Sequence, residues 1–223
     1  MNIQLLIHGL IKYISGALVI FVLLFLPAGS FSYWNGWLFM GLLFIPMFFA
    51  GMIMFIKNPS LLKSRLDAKE KEKEQKLVVF LSGMMFLIGF LLCGFNYRLE
   101  WFVIPKPFVY FFSFVFLLSY LLYFEVLREN TYLSRTIEVK ENQKVIDTGL
   151  YGIVRHPMYL STIFLFLSIP LILGCLISFF IFCLYPILIV IRIQNEEKVL
   201  EKKLKGYKEY QRKVKYRLIP FIW

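Results

Sequence analysis

Cysteine and histidine are scarce in this 223-residue chain, which has three Cys and two His. Cys93, Cys175 and Cys183 sit in apolar runs without CxxC spacing. Neither a disulfide framework nor a metal site is therefore expected, and the thiols read as packing residues. Acidic residues are also few, 14 Asp and Glu against 25 Lys and Arg. The most telling lack is charge of any kind over long stretches. None lies between Lys12 and Lys57, a gap of 44 residues, and further gaps run from Lys76 to Arg98 (21), Lys106 to Glu125 (18) and Arg155 to Arg192 (36). A membrane-spanning helix needs about 20 apolar residues, so the gaps hold two, one, one and two spans, six in all. Pro27-Ala-Gly-Ser30 reads as the turn between the first two spans rather than as a cleavage site. No charge lies at the middle of any span, which argues against an ion- or proton-coupled transporter. The basic residues flank spans and form no soluble domain, which argues against nucleic acid as a partner.

What is present is grease, with charge at its edges. Apolar residues make up 59% of the chain and the mean hydropathy is +0.70. With six spans, residues 1–12, 57–76, 125–156 and 192–223 share one side and hold every Lys and Arg except Arg98 and Lys106. By the positive-inside rule both termini are then cytosolic, in a multi-pass protein of the cell membrane. The net charge of +11 becomes a topology signal that also attracts anionic lipid. The expected fold is an all-α membrane protein of about six transmembrane helices. The last two form a tight hairpin that breaks near Pro170 and Gly174. A C-terminal amphipathic cytosolic helix follows, with Leu200, Leu204 and Tyr207 on one face. Residues 1–124 are then the N-terminal transmembrane helices, and 125–223 a region of loop, hairpin and amphipathic helix. Within the loops, 57–76 suggests a short solvated helix, and Ile137-Glu-Val139 with Val145-Ile-Asp147 a short β-hairpin. Gly83, Gly89 and Gly94 offer places for close helix contact.

Arg155-His156-Pro157 opens the last apolar stretch, and Asn195-Glu196-Glu197 stands just past its far end. If the stretch folds back on itself, the two clusters meet at one membrane surface. Proline suits the first helical position, where its missing N–H would lack a partner anyway. A helix start there attracts a carboxylate or phosphate, and Arg155 adds a bidentate fork. Tyr159, one turn in, offers an aromatic face. Glu196 and Glu197 can accept bonds from ribose hydroxyls or an amino group. A zwitterionic, cationic nucleoside such as S-adenosylmethionine fits that set, since aromatic rings attract its sulfonium. Each residue also has a plainer role: Arg155 as a topology anchor, His156 as a cap, and the Glu pair as a complement to the helix dipole.

The run Gly149-Leu-Tyr-Gly-Ile-Val-Arg-His-Pro-Met-Tyr159, the Glu196-Glu197 pair and the closing segment Gly206 to Pro220 resemble the isoprenylcysteine carboxyl methyltransferase family. The similarity covers roughly residues 125–223. The resemblance implies an integral membrane enzyme that uses S-adenosylmethionine, with its cofactor pocket built by the hairpin, the preceding loop and the terminal helix. It places Tyr151, Arg155, His156, Pro157, Tyr159, Glu196 and Glu197 at the cofactor, and implies a lipophilic small-molecule, lipid or lipidated substrate drawn from the bilayer. Where the family pattern has Gly two residues after the Tyr, this chain has Ser161, whose hydroxymethyl narrows the approach of a neighbour. Phospholipid N-methyltransferases share similar elements, and so do membrane sterol reductases, which use NADPH. The chain's length and six spans favour methyl transfer over reduction; a small transporter or scaffold is the non-enzymatic alternative.

A carboxylate acceptor is already ionised at neutral pH and needs no general base. The protein then has to align oxygen, methyl and sulfur and to exclude water. Arg192, beside Glu196, is the candidate for positioning such an acceptor. With an amine acceptor, Glu196 becomes the candidate base.

Overall fold

The computed structural model describes residues 3–67, 72–134, 136, 137, 139 and 141–223. It is built of helices, and among the described residues none lies in a strand. The long ones are α1 (Ile3–Ala28), α2 (Trp34–Lys57), α4 (Lys73–Leu99) and α5 (Lys106–Glu129), with the short α3 (Pro59–Leu66) between α2 and α4. Then come α6 (Pro157–Ile172), α7 (Leu176–Phe182), α8 (Leu184–Lys203) and α9 (Tyr207–Lys213). Helix boundaries follow the punctuation in the sequence. The α2 helix ends at Asn58, whose side chain then caps α3 by accepting from Leu61 N at 3.1 Å, with Pro59 at the first helical position. The break at Cys183 between α7 and α8 stands beside Pro186, which has no N–H to offer the carbonyl of Phe182 four residues back.

Five helical segments are long and apolar enough to cross a membrane: Ile3–Ala28, Trp34–Lys57, Gln75–Leu99, Lys106–Glu129 and Leu176–Lys203. The remaining apolar helix, α6, has 16 residues, about 24 Å at 1.5 Å per residue and short of a hydrocarbon core of about 30 Å. It is nonetheless apolar and deeply packed along α5. At Leu173-Gly174-Cys175 the chain reverses, and α7 and α8 return alongside α6, where Tyr185 Oη meets Thr162 Oγ1 at 3.1 Å. Because α6 is short, this turn is buried, and its carbonyls need donors from within the protein. The N-terminal helices supply them. Tyr33 Oη donates to Leu173 O at 2.6 Å, Asn35 Nδ2 to Ile172 O at 2.7 Å, and Asn96 Nδ2 to Gly174 O at 3.0 Å.

The core gathers where α4 meets the returning helices, around Met85, Phe90, Phe116, Ile163, Phe182 and Ile189. Two of the three glycines flagged on α4 are close-contact points. A Cβ on Gly89 would lie 2.3 Å from the Phe182 ring, and one on Gly94 would lie 2.6 Å from Leu24 O. Gly83 faces open space. Cys93 and Cys175 are packed in the interior, whereas Cys183 is exposed at the α7–α8 break.

Three sequence expectations need revision. The amphipathic segment after Arg192 is not one helix: α8 runs on to Lys203, the backbone turns left-handed at Gly206 (φ 86°), and α9 starts anew. The short helix in the 57–76 loop is present as α3, but it is not fully solvated, because Leu61 and Leu62 are buried; residues 68–71 lie outside the described residues. No strand forms at residues 137, 139 or 145–147, which run as irregular chain; residues 138 and 140 lie outside the described residues.

Candidate functional site

The open end of the hairpin brings α6, α8, α9, the 130–156 loop and the C-terminal tail together. His156 is the residue before the first turn of α6, and Pro157 occupies the first helical position, as proline's fixed φ favours. Ahead of them, Gly149–Gly152 forms a single tight helical turn. Glu129, at the end of α5, holds that turn by accepting from Leu150 N at 3.0 and 3.2 Å. A Cβ at position 149, where φ is +54°, would lie 1.7 Å from Glu129 Oε1, so only glycine fits there.

The tail fixes the segment just before α6. Arg155 N donates to Tyr216 O and His156 N to Arg217 O, both at 2.9 Å. These two amides are thus engaged by the chain itself rather than open to an anion. Arg155, 8% exposed, donates through Nε to Glu197 Oε1 at 2.7 Å and through Nη1 to the carbonyls of Val214 and Lys215 at 2.8 and 3.0 Å. His156 Nε2 lies 3.3 Å from the same carboxylate oxygen. Arg217 Nε takes the other, Glu197 Oε2, at 2.8 Å, while its guanidinium stacks over the Trp223 ring. Glu197 is 3% exposed, so one buried carboxylate anchors two arginines and a histidine.

Glu196, one residue earlier, points elsewhere. Its Oε2 accepts from Tyr159 Oη at 2.7 Å, and Tyr159 Oη in turn accepts from Arg192 Nε at 2.9 Å. This chain of three side chains forms one wall of a cavity of about 830 Å³, counting its open mouth. Tyr151, Arg155, His156, Tyr159, Arg192 and Glu196 all line it. Of the residues singled out in the sequence, Pro157 and Glu197 do not: Pro157 starts the helix, and Glu197 stands behind Arg155 and His156. Ser161 is fully buried, and its hydroxyl is taken up within its own helix by Met158 O at 2.7 Å.

The opposite wall comes from the apolar face of the C-terminal segment, where the sequence reading placed Leu200, Leu204 and Tyr207 without assigning any of them to the site, and from Tyr210, which it left out. Tyr207 and Tyr210 on α9 face the cavity, with Leu200 of α8's last turn and Leu204, just past its end, beside them. Tyr210 Oη donates to Tyr151 O at 2.7 Å. Burial pushes the phenols of Tyr151, Tyr207 and Tyr210 well up from their ordinary value, so all three stay neutral. The third wall is the loop through Tyr132, Ser134 and Thr136. It is tied to the N-terminal half by α3: Arg65 Nη1 donates to Ser134 O at 3.1 Å, and Ser64 Oγ to Leu133 O at 3.3 Å. Lys213 pairs with Asp147 at 2.6 Å, linking α9 to the same loop. The Tyr207-x-x-Tyr210 spacing, one helical turn apart on the apolar face, was the available signal for this wall.

Residues 110–202 match the family described as "Isoprenylcysteine carboxyl methyltransferase (ICMT) family". The matched segment runs from α5 to the end of α8 and carries Tyr151, the Arg155-His156-Pro157 run, Tyr159, Arg192 and both glutamates. Over this region the chain is similar to that family. The chain is also similar to Delta(14)-sterol reductase TM7SF2 of Mus musculus, at 32% identity over 91 residues, which is 40% of this chain and 22% of that protein. It thus spans about a fifth of that relative's length.

Proposed function

We propose that this protein is an integral membrane methyltransferase that uses S-adenosylmethionine to methylate a lipophilic acceptor, with a carboxylate favoured, at the cytosolic face of the cell membrane. The observation that carries the reading is the convergence of Arg155, His156, Tyr159, Arg192 and Glu196 on one cavity inside the segment that matches the family. The lining suits a zwitterionic cofactor. Lys144, Arg155 and Arg192 attract a carboxylate, Glu196 accepts from an amine or hydroxyl, and the rings of Tyr151, Tyr159, Tyr207 and Tyr210 offer faces to a sulfonium. The group supplies the electrophilic methyl.

The protein's own residues do the positioning. Glu197 clamps Arg155 and His156 from behind, so that neither side chain loses orientation when a ligand arrives. Arg192 and Tyr159 fix Glu196 from the side. A carboxylate acceptor arrives ionised, and Arg192 draws it toward the methyl; an amine acceptor gives up its proton to Glu196. In membrane terms the chain crosses six times, α6 with the returning α7–α8 being the last two crossings, with both termini and the cavity cytosolic. Every Lys and Arg except Arg98 and Lys106 then lies on the cytosolic side. The acceptor's apolar part lies between helices and enters sideways from the bilayer. Residues 125–223 form the catalytic region, and 1–124 the scaffold that holds it.

Incubating membranes with methyl-labelled S-adenosylmethionine and lipid extract tests the reading. Label in the lipid fraction that mild base releases as methanol marks an ester, the favoured product. Base-stable label marks an N-methylated lipid. The similarity to a sterol reductase favours one other reading, reduction of an isoprenoid or sterol with NADPH. Oxidation of NADPH with such a substrate, and no label transfer, would establish it.

A further inference from the structure

Tyr207 and Tyr210 stand one turn apart on α9, are both buried and both line the cavity, yet their hydroxyls differ. Tyr210 Oη is satisfied by Tyr151 O. Tyr207, only 4% exposed, has a hydroxyl with no hydrogen-bond partner. The charged groups that act on it are Glu197, Glu196 and Arg155, so it faces the polar floor of the cavity. The nearest carboxylates are already engaged: Glu197 gives Oε1 to Arg155 and His156 and Oε2 to Arg217, and Glu196 gives Oε2 to Tyr159. A buried hydroxyl without a partner costs stability, and such groups are rare in folded proteins unless a ligand completes them.

We infer that Tyr207 is a ligand-contacting residue, whose neutral hydroxyl donates a hydrogen bond to the nucleoside part of the bound cofactor. Beside it Glu196, with one oxygen still open, accepts from a ribose hydroxyl. A donor and an acceptor side by side match a hydroxyl-bearing sugar, which offers both roles within one ring. This assignment rests on the cofactor reading above, and it makes Tyr207 an uncommitted hydrogen-bonding group at the cavity and Tyr210 its structural counterpart.

The experiment uses purified full-length protein in detergent, with S-adenosylhomocysteine as the probe in calorimetry and a thermal unfolding scan without ligand. Tyr207→Phe weakens binding about five- to tenfold, the loss of one neutral hydrogen bond, while its ligand-free melting point stays level or rises. Tyr210→Phe lowers the ligand-free melting point, because Tyr151 O loses its donor. Unchanged affinity in Tyr207→Phe beside a wild type that binds overturns the assignment and leaves the cofactor reading standing. A fall in the ligand-free melting point of Tyr207→Phe equal to that of Tyr210→Phe also overturns it, because the hydroxyl would then be structural. A wild type that binds no S-adenosylhomocysteine removes the cofactor reading and the Tyr207 assignment together.

Discussion

The two ends of the α6–α8 hairpin are held by different chemistry. At the turn, Tyr33, Asn35 and Asn96 reach in from the N-terminal helices and donate neutral hydrogen bonds to backbone carbonyls. At the open end, the buried Glu197 carboxylate gathers Arg155, His156 and Arg217 around itself, two of them as ion pairs. The neutral end meets a requirement of the backbone alone, since a reversed chain in an apolar surrounding must find donors. The ionic end answers no such need. Buried ion clusters carry a heavy desolvation cost and are poor stabilisers compared with packed apolar groups. Their value here is orientation: Arg155 and His156 are presented to the cavity in a fixed pose. One end secures the fold, and the other spends stability to shape a site.

Removing the keystone of the ionic end should give the largest effect. Glu197→Gln leaves the buried Arg155 and the partly exposed Arg217 without their counter-charge and lowers stability by about 3 kcal/mol, read as unfolding by denaturant in detergent. S-adenosylhomocysteine binding falls with it. At the turn, Asn96→Leu leaves the carbonyls of Gly174 and Phe102 and the Phe102 N–H without their partner. That costs about 1–3 kcal/mol. Ligand affinity in the surviving protein stays within about twofold, because the turn is about 24 Å of helix away from the cavity. A tenfold loss of affinity in Asn96→Leu would erase the distinction between the two ends. Gly89→Ala tests the seam between α4 and α7. The added Cβ has to displace the Phe182 ring and costs about 1–3 kcal/mol, whereas Gly83→Ala, facing open space, is neutral or stabilises by up to about 1 kcal/mol.

Much of this contrast was legible before any coordinates. Gaps in charge marked the apolar helices, and the spacing of Arg155-His156-Pro157 and Asn195-Glu196-Glu197 about a reversing stretch put both clusters at one end. What stayed hidden depends on partners distant in sequence. Nothing local separates Glu196 from Glu197, yet adjacent residues on a helix point about 100° apart, so one faces the cavity and the other the buried arginines. Arg217 lies beyond the break at Gly206, which redirects the chain and splits the expected amphipathic helix in two. Asn35 and Asn96 are lone polar residues in apolar runs, and only the buried turn explains them. The sequence around 137–147 has alternating polarity, but among its described residues none lies in a strand, and Ile137 with residues 143–146 lines the cavity instead.

The central claim is that the ionic end of the hairpin presents a site for an S-adenosyl cofactor. Calorimetry of the purified wild-type protein with S-adenosylhomocysteine, and in parallel with NADPH, tests it most directly. Saturable binding of S-adenosylhomocysteine, weakened about tenfold or more in Arg155→Ala as a charged hydrogen-bonding group is lost, with no binding of NADPH, is the predicted result. Saturable binding of NADPH without any response to S-adenosylhomocysteine would contradict the claim and assign the same cavity to a reductase.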